Sequence, residues 1–272
     1  MNKKDKNKKH IPYKMQFDIL HITENGFYDE DYLFNNILKC NFVSSEKRNK
    51  DGFRCDNFIK KHEGLHILFS GCSVSFGYGL ELEETWTKKV FNNINNIKKC
   101  SGYFNLSIPG TSLLNQTIDI FKYCRNYGNP EYIFFSIPDL KRFYYYHYKK
   151  NKIGDAFYNQ ENDKNYKIIE VLYYQYYYML DQYCRSNNIN LISFTWSNLQ
   201  IDEGVFDRVN ITSFNTFYIL NKEKMEKYIL KYCENNKNDF FALVARDNRH
   251  FGTAYHDFWA KEIFSIIENT LV

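Results

Sequence analysis

The chain has 272 residues, of which 44% are hydrophobic, enough for a sizeable core in one α/β domain with elaborations. The net charge of +4 lies mainly in residues 1–15, so the rest is near neutral and lacks the basic stripe of a nucleic-acid-binding protein. Seven scattered cysteines show no CxxC pair and no Cys/His spacing typical of zinc. Because no apolar leader and no apolar run of about 18 residues is visible, we expect a cytoplasmic protein without a membrane span.

Residues 1–63 are predicted to form a basic tail (1–15) and an extension of short helices and loops packed on a main domain at 64–272. From residue 64 onward, apolar segments of strand length alternate with amphipathic helical segments. Strands are expected at 65–69, 103–108, 131–137, 189–196 and 240–245, helices at 83–94, 113–127, 166–186, 219–235 and 253–271, and loops at 141–165 and 197–217. This alternation predicts an α/β fold with a doubly wound, five-stranded parallel sheet and helices on both faces.

The first predicted strand leads directly into small residues and then a helix. Gly71 and the small side chains of Cys72 and Ser73 allow a tight turn at the carboxyl end of that strand, the sheet edge where ligands and catalytic groups collect. Ser73 is therefore placed like a nucleophile whose own backbone N–H also serves as an oxyanion donor.

Asp247 and His250 lie three residues apart in the loop after the last predicted strand, at the same edge of the sheet as Ser73. A serine nucleophile needs a base, and histidine has a suitable pKa. The base needs a partner on its other ring nitrogen, which Asp247 can supply within one turn. On the loop alone, a solvated polar turn that happens to hold both residues is the favoured interpretation.

In the order and spacing of four blocks, the chain resembles the SGNH (GDSL-type) hydrolases. The blocks are Gly71-Cys72-Ser73, Asn105 to Gly110, Ser136-Ile137-Pro138-Asp139, and Asp247-Asn248-Arg249-His250 before the last helix. The resemblance implies a flavodoxin-like three-layer sandwich, a triad of Ser73, Asp247 and His250, and an oxyanion hole formed by the N–H groups of Ser73 and Gly110. It implies neither a metal nor an organic cofactor.

Two residues depart from the pattern of that family. Cys72 replaces an Asp that is not the triad acid, and a small buried packing residue is expected there rather than a thiol nucleophile. Pro138 replaces an Asn that would donate to the oxyanion, and proline has neither a side-chain donor nor an N–H. Asp139 and Arg142 are candidate substrate-binding residues, with Arg142 a possible substitute donor or simply a surface arginine.

The resemblance implies a serine esterase that acts on a small acyl ester or an acetylated carbohydrate. Two alternatives stay open: a weak or inactive carbohydrate-binding protein on the same fold, which Pro138 motivates, and an O-acyltransferase in which an acceptor hydroxyl replaces water. No nucleic-acid partner is expected.

Overall fold

The computed structural model describes residues 47–138, 142–147, 152–157, 164–195, 216–219, 221–236, 239, 241–247 and 250–271. The strands of this part are β1 (Ile67–Ser70), β2 (Phe104–Asn105), β3 (Tyr132–Ser136), β4 (Arg142–His147), β5 (Lys152–Phe157), β6 (Asn190–Thr195) and β7 (Thr216–Ile219). The helices are α1 (Ser73–Phe76), α2 (Trp86–Ile97), α3 (Leu113–Tyr127), α4 (Lys164–Ser186), α5 (Lys222–Asn235) and α6 (Thr253–Leu271), with a 3-10 turn at Leu82–Glu84.

The main sheet is parallel and has the order β2-β1-β3-β6-β7. From β1 the chain first moves to one side to form β2 and then returns to place β3 on the other side. In open α/β sheets, ligands bind at the carboxyl ends of the strands beside such a reversal. The prediction of an α/β fold with a parallel sheet is confirmed, and the turn after β1 lies at this reversal.

Successive residues of β1 enter two separate cores, as expected for a strand covered on both faces. Ile67 and Phe69 pack in one core with Trp259 of α6, whereas Leu68 packs in the other with Tyr177 of α4. The first core also contains side chains of α2 and α5, and the second contains side chains of α3. The helices therefore cover both faces of the sheet.

Helices α2 and α6 follow the Ser73 turn and the Asp247–His250 loop in the sequence, and they pack against each other on one face of the sheet. The fully buried His256 of α6 accepts a hydrogen bond at Nδ1 from the backbone N–H of Trp86 (3.0 Å). Burial lowers the pKa of His256 well below its usual value, so the ring stays a neutral acceptor. Lys89 forms an ion pair with Asp257 (2.8 Å). None of the described helices combines the length and apolar character needed to cross a bilayer.

The prediction of a strand at 240–245 is wrong. Its described residues form turns and bends, and Val244 makes only an isolated antiparallel bridge with Phe251. The segment is apolar because Ala242, Leu243 and Val244 fill the core between α2 and α6. A short apolar run has the same composition whether it is a buried strand or a buried turn, so periodicity cannot separate the two.

Other boundaries also differ from the predictions. The loop expected at 141–165 contains the antiparallel hairpin β4–β5, and the loop expected at 197–217 overlaps β7, while its residues 197–215 lie outside the described part. The strand expected at 103–108 is reduced to β2, and the helix expected from residue 219 begins at Lys222. Of the extension, residues 47–63 contain no helix, and residues 1–46 lie outside the described part.

A stacked pair of histidines packs beside β1. The rings of His62 and His66 lie 3.5 Å apart, His62 Nε2 contacts the carbonyl oxygen of Tyr127 (2.8 Å), and His66 Nε2 contacts the hydroxyl of Tyr123 (2.7 Å). Burial, together with the neighbouring His62, lowers the pKa of His66 from 6.5 to about 3.

This pair predicts a pH-dependent stability. Between pH 6.5 and about 3, His66 is protonated in the unfolded chain but stays neutral in the folded protein. The free energy of unfolding therefore falls as the pH falls through this window. The slope for one such group approaches about 1.4 kcal/mol per pH unit. Urea unfolding at several pH values should show a shallower acid-side slope for His66→Gln than for the wild type. Equal slopes for the two proteins would contradict the prediction.

Candidate active site

Ser73 lies at the first position of α1, directly after the turn that ends β1. Cys72 is the extended N-cap residue, and Gly77 ends the helix in the left-handed conformation (φ 74°). Ser73 is 5% exposed. First-turn amides lack an intrahelical acceptor, and in the described part of the chain the N–H of Ser73 donates to no other group. Among the described residues, this amide is therefore available as a donor to a ligand.

Asp247 and His250 form a hydrogen-bonded pair. His250 Nδ1 lies 2.5 Å from Asp247 Oδ2, and the backbone N–H of His250 donates to Asp247 Oδ1 (3.2 Å). Because an ionised carboxylate only accepts hydrogen bonds, this contact assigns the ring proton to Nδ1. Nε2 is then the nitrogen that can accept a proton.

The Asp247–His250 pair packs against the residues that follow α1. The rings of Tyr78 and His250 lie 5.3 Å apart, and a Cβ placed on Gly79 would lie 2.7 Å from Asp247 Oδ1. The backbone N–H of Arg246 donates to the carbonyl oxygen of Gly79 (3.0 Å). Gly79 is therefore a glycine partly because the carboxylate occupies the space that a side chain would need.

Ser73 is connected to the same segment, since the N–H of Tyr78 donates to the carbonyl oxygen of Ser73 (3.1 Å). No hydrogen bond joins the Ser73 hydroxyl to the His250 ring among the residues that the structure describes. Catalytic hydrogen bonds often tighten only when the substrate binds. The structure thus brings Asp247 and His250 together beside residues 78–79, and the role of Ser73 stays a prediction.

An ion pair that sequence reasoning missed holds the loop of Asp247 in place. The Arg246 guanidinium bonds both carboxylate oxygens of Glu84, one of them at 2.7 Å. Burial opposes ionisation of the Glu84 carboxyl, but the Arg246 guanidinium outweighs it and holds the pKa of Glu84 below its usual value. The sequence shows only an acidic pair, Glu83 and Glu84, shortly after the glycines that follow Ser73, and nothing that links this pair to Arg246.

The loop after β2 runs beside the serine turn. The N–H of Ile108 donates to the carbonyl oxygen of Gly71 (3.2 Å), and Gly110 follows in a left-handed conformation (φ 80°) with an exposed backbone. The amide of Gly110 donates to no group in the described part. Its distance from the serine hydroxyl is not fixed by any contact, so its oxyanion role stays a prediction.

Pro138, at the carboxyl end of β3, supplies no hydrogen-bond donor to the candidate site. Pro138 is buried, and its carbonyl oxygen accepts a hydrogen bond from the hydroxyl of Tyr173 (2.8 Å). Asp139 lies outside the described residues, and of Arg142 only the backbone, at the start of β4, is described. The predicted substrate-binding roles of Asp139 and Arg142 stay predictions.

Cys72 is fully buried and packs in the core of α2 and α6, as expected for a small packing residue. Among the described side chains, no group of three or more His, Cys, Asp or Glu residues is arranged to hold a metal ion.

No protein-family model matches the chain, and no curated protein matches it. Among solved structures, the crystal structure of TesA shares 12% sequence identity at a TM-score of 0.46, over 76% of this chain and 99% of its own. A structure of the psychrotrophic esterase EstA from Pseudoalteromonas sp., inhibited by monoethylphosphonate, shares 13% identity at a TM-score of 0.46, over 75% of this chain and 97% of its own.

Proposed function

We propose that the chain is a serine esterase that cleaves a small acyl ester or an O-acetyl group. The observation that carries this proposal is the Asp247–His250 pair, with its 2.5 Å contact, packed against residues 78–79 immediately after the helix of Ser73. A carboxylate that fixes the Nδ1–H tautomer beside a serine turn is the arrangement that nucleophilic acyl transfer requires.

In the proposed mechanism, Ser73 Oγ attacks the acyl carbonyl carbon while His250 Nε2 takes the hydroxyl proton. The Asp247 carboxylate stabilises the imidazolium that forms. The tetrahedral intermediate then collapses as His250 returns the proton to the leaving alcohol, which leaves an acyl group on Ser73. Water, deprotonated by His250, releases the acid and restores the serine.

The oxyanion of each intermediate is assigned to the N–H groups of Ser73 and Gly110. Pro138 contributes no donor, and losing one oxyanion donor typically costs about 10²–10³ in kcat. We therefore propose an esterase of modest rate, in which Arg142 is the nearest candidate in sequence for a third donor and Asp139 a candidate for substrate binding. A carbohydrate-binding protein without catalysis is the alternative that Pro138 favours.

Covalent labelling with a fluorophosphonate, read by intact mass and peptide mapping, separates these proposals. We expect one adduct on Ser73 in the wild type and none in Ser73→Ala. Ser75→Ala is a matched control, because Ser75 lies in the same helix but is fully buried. The esterase proposal fails if the wild type takes no label, or if Ser73→Ala is labelled as fast as the wild type.

A further inference from the structure

A buried arginine that precedes the sheet in the sequence binds the end of α1 and the segment that follows it. Arg54 is 6% exposed and precedes β1 by more than a dozen residues. Its Nη1 donates to the carbonyl oxygens of Phe76 (3.2 Å) and Gly77 (2.8 Å), and its Nη2 donates to that of Leu80 (2.7 Å). Burying a guanidinium is costly unless its N–H groups find acceptors, and here its two terminal nitrogens donate to three backbone carbonyls.

Those three carbonyls bracket the residues that contact the predicted base. Tyr78, whose ring lies against His250, and Gly79, which lies against the Asp247 carboxylate, are both between the Gly77 and Leu80 carbonyls that Arg54 binds. The carbonyls at the end of a helix have no intrahelical partner. The Gly77 carbonyl also accepts from the N–H of Leu80 (3.1 Å), whereas among the described residues the carbonyls of Phe76 and Leu80 accept from Arg54 alone.

The backbone around Arg54 is itself fixed to the sheet. The N–H of Asp56 donates to the carbonyl oxygen of Tyr103 (3.0 Å), and the N–H of Tyr103 donates to Asp56 Oδ2 (2.8 Å). Phe58 is buried in the core of α3 and α4. Arg54 is therefore a rigid connection between the start of β2 and the segment 76–80.

We propose that Arg54 is a positioning residue that sets the distance between Ser73 and the Asp247–His250 pair by fixing segment 76–80. This inference rests on the proposed function, and it makes residues 47–63 part of the working active site although they lie outside the sheet and its helices. A purely structural anchor would lower stability without changing His250 or the reactivity of Ser73.

The test combines a reactivity readout with a readout that needs no catalysis. The rate of fluorophosphonate labelling of Ser73 reports on the nucleophile, and NMR of the His250 ring nitrogens reports on the tautomer and on the Nδ1–H bond to Asp247. For Arg54→Met we expect a labelling rate lower by about 10²-fold, the effect of a misplacement of about 1 Å. The Nδ1–H signal of His250 should broaden or disappear.

Arg48→Met is the matched control. The guanidinium of Arg48 lies over the same Phe76 ring as that of Arg54, at 5.2 Å against 5.7 Å, but its Nη1 donates to the carbonyl oxygen of Gly52 instead. Arg48→Met should label as fast as the wild type. If Arg54→Met does not fold, Arg54→Lys replaces it as the test variant. Lysine keeps the positive charge but lacks the two guanidinium nitrogens that donate in parallel, so the labelling rate and the His250 Nδ1–H signal should change in the same direction but to a smaller extent.

The inference is overturned if folded Arg54→Met, or folded Arg54→Lys in its place, keeps the wild-type His250 signal, whatever its melting temperature. It is also overturned if that variant labels at the wild-type rate. If the wild type itself takes no label, the esterase proposal fails separately, and the His250 signals of wild type and variant still decide whether Arg54 positions the pair.

Discussion

Asp247→Asn is expected to lower kcat/KM for p-nitrophenyl acetate by about 10⁴-fold while the protein stays folded. The carboxylate now accepts from the Nδ1–H of His250 at 2.5 Å, which leaves Nε2 unprotonated. An amide at this position can turn its NH₂ toward Nδ1 and so stabilise the opposite tautomer, in which Nε2 carries the proton and cannot act as a base. The amide also provides no charge to balance the imidazolium.

Asp239→Asn is the control for that experiment. Asp239 lies a few residues earlier in the same turn-rich region, where it accepts from the N–H of Phe241 (3.0 Å) and from the hydroxyl of Thr253 (2.5 Å). Its replacement should lower the melting temperature and leave kcat/KM nearly unchanged at a temperature where the protein is folded. A loss of less than tenfold for Asp247→Asn, or equal losses for both variants, would show that His250 does not depend on its carboxylate.

The fold was predictable where a buried strand is followed by an amphipathic helix. β1, β3 and β6 lie within or close to the predicted ranges because their apolar runs are bounded by Gly, Pro or polar residues. The segment 240–245 failed because its apolar side chains are buried by turns rather than by strand pairing. Only tertiary contacts decide which partner buries such a run.

In the candidate site, the sequence predicted the contact between residues that are close in the chain, but not the contacts between distant residues. The spacing of Asp247 and His250 was enough to predict their hydrogen bond, since three residues in one turn set the distance. The contacts of Arg54 with residues 76–80 span more than 20 residues of sequence. They involve backbone carbonyls, which every residue type has, so the residue types at 76–80 do not reveal them. The Arg246–Glu84 pair spans 162 residues. Sequence spacing carries no information on either contact.

The second large effect is expected at Gly252, two residues after His250. A Cβ at this position would lie 2.0 Å from the carbonyl oxygen of Phe241 and 2.6 Å from the backbone carbonyl group of Ala242. The chain passes this closely because the N–H of Gly252 donates to the carbonyl oxygen of Leu243 (3.0 Å) and that of Thr253 to Phe241 (3.0 Å). Both clashes involve backbone atoms, so no side-chain rotation can relieve them.

Gly252→Ala should therefore lower the free energy of unfolding by about 3 kcal/mol, the upper end of the usual cost of overpacking. It should also slow fluorophosphonate labelling, because the same backbone pairing fixes His250 relative to α6. Gly102→Ala is the control: its Cβ would meet the Phe104 ring at 2.8 Å, a side-chain rather than a backbone contact, so a smaller cost of about 1 kcal/mol is expected. Urea unfolding measures both values. Equal losses of unfolding free energy in the two variants would mean that the backbone of segment 241–245 moves as easily as a side chain. His250 would then be held in position by Asp247 and Tyr78 rather than by this backbone pairing.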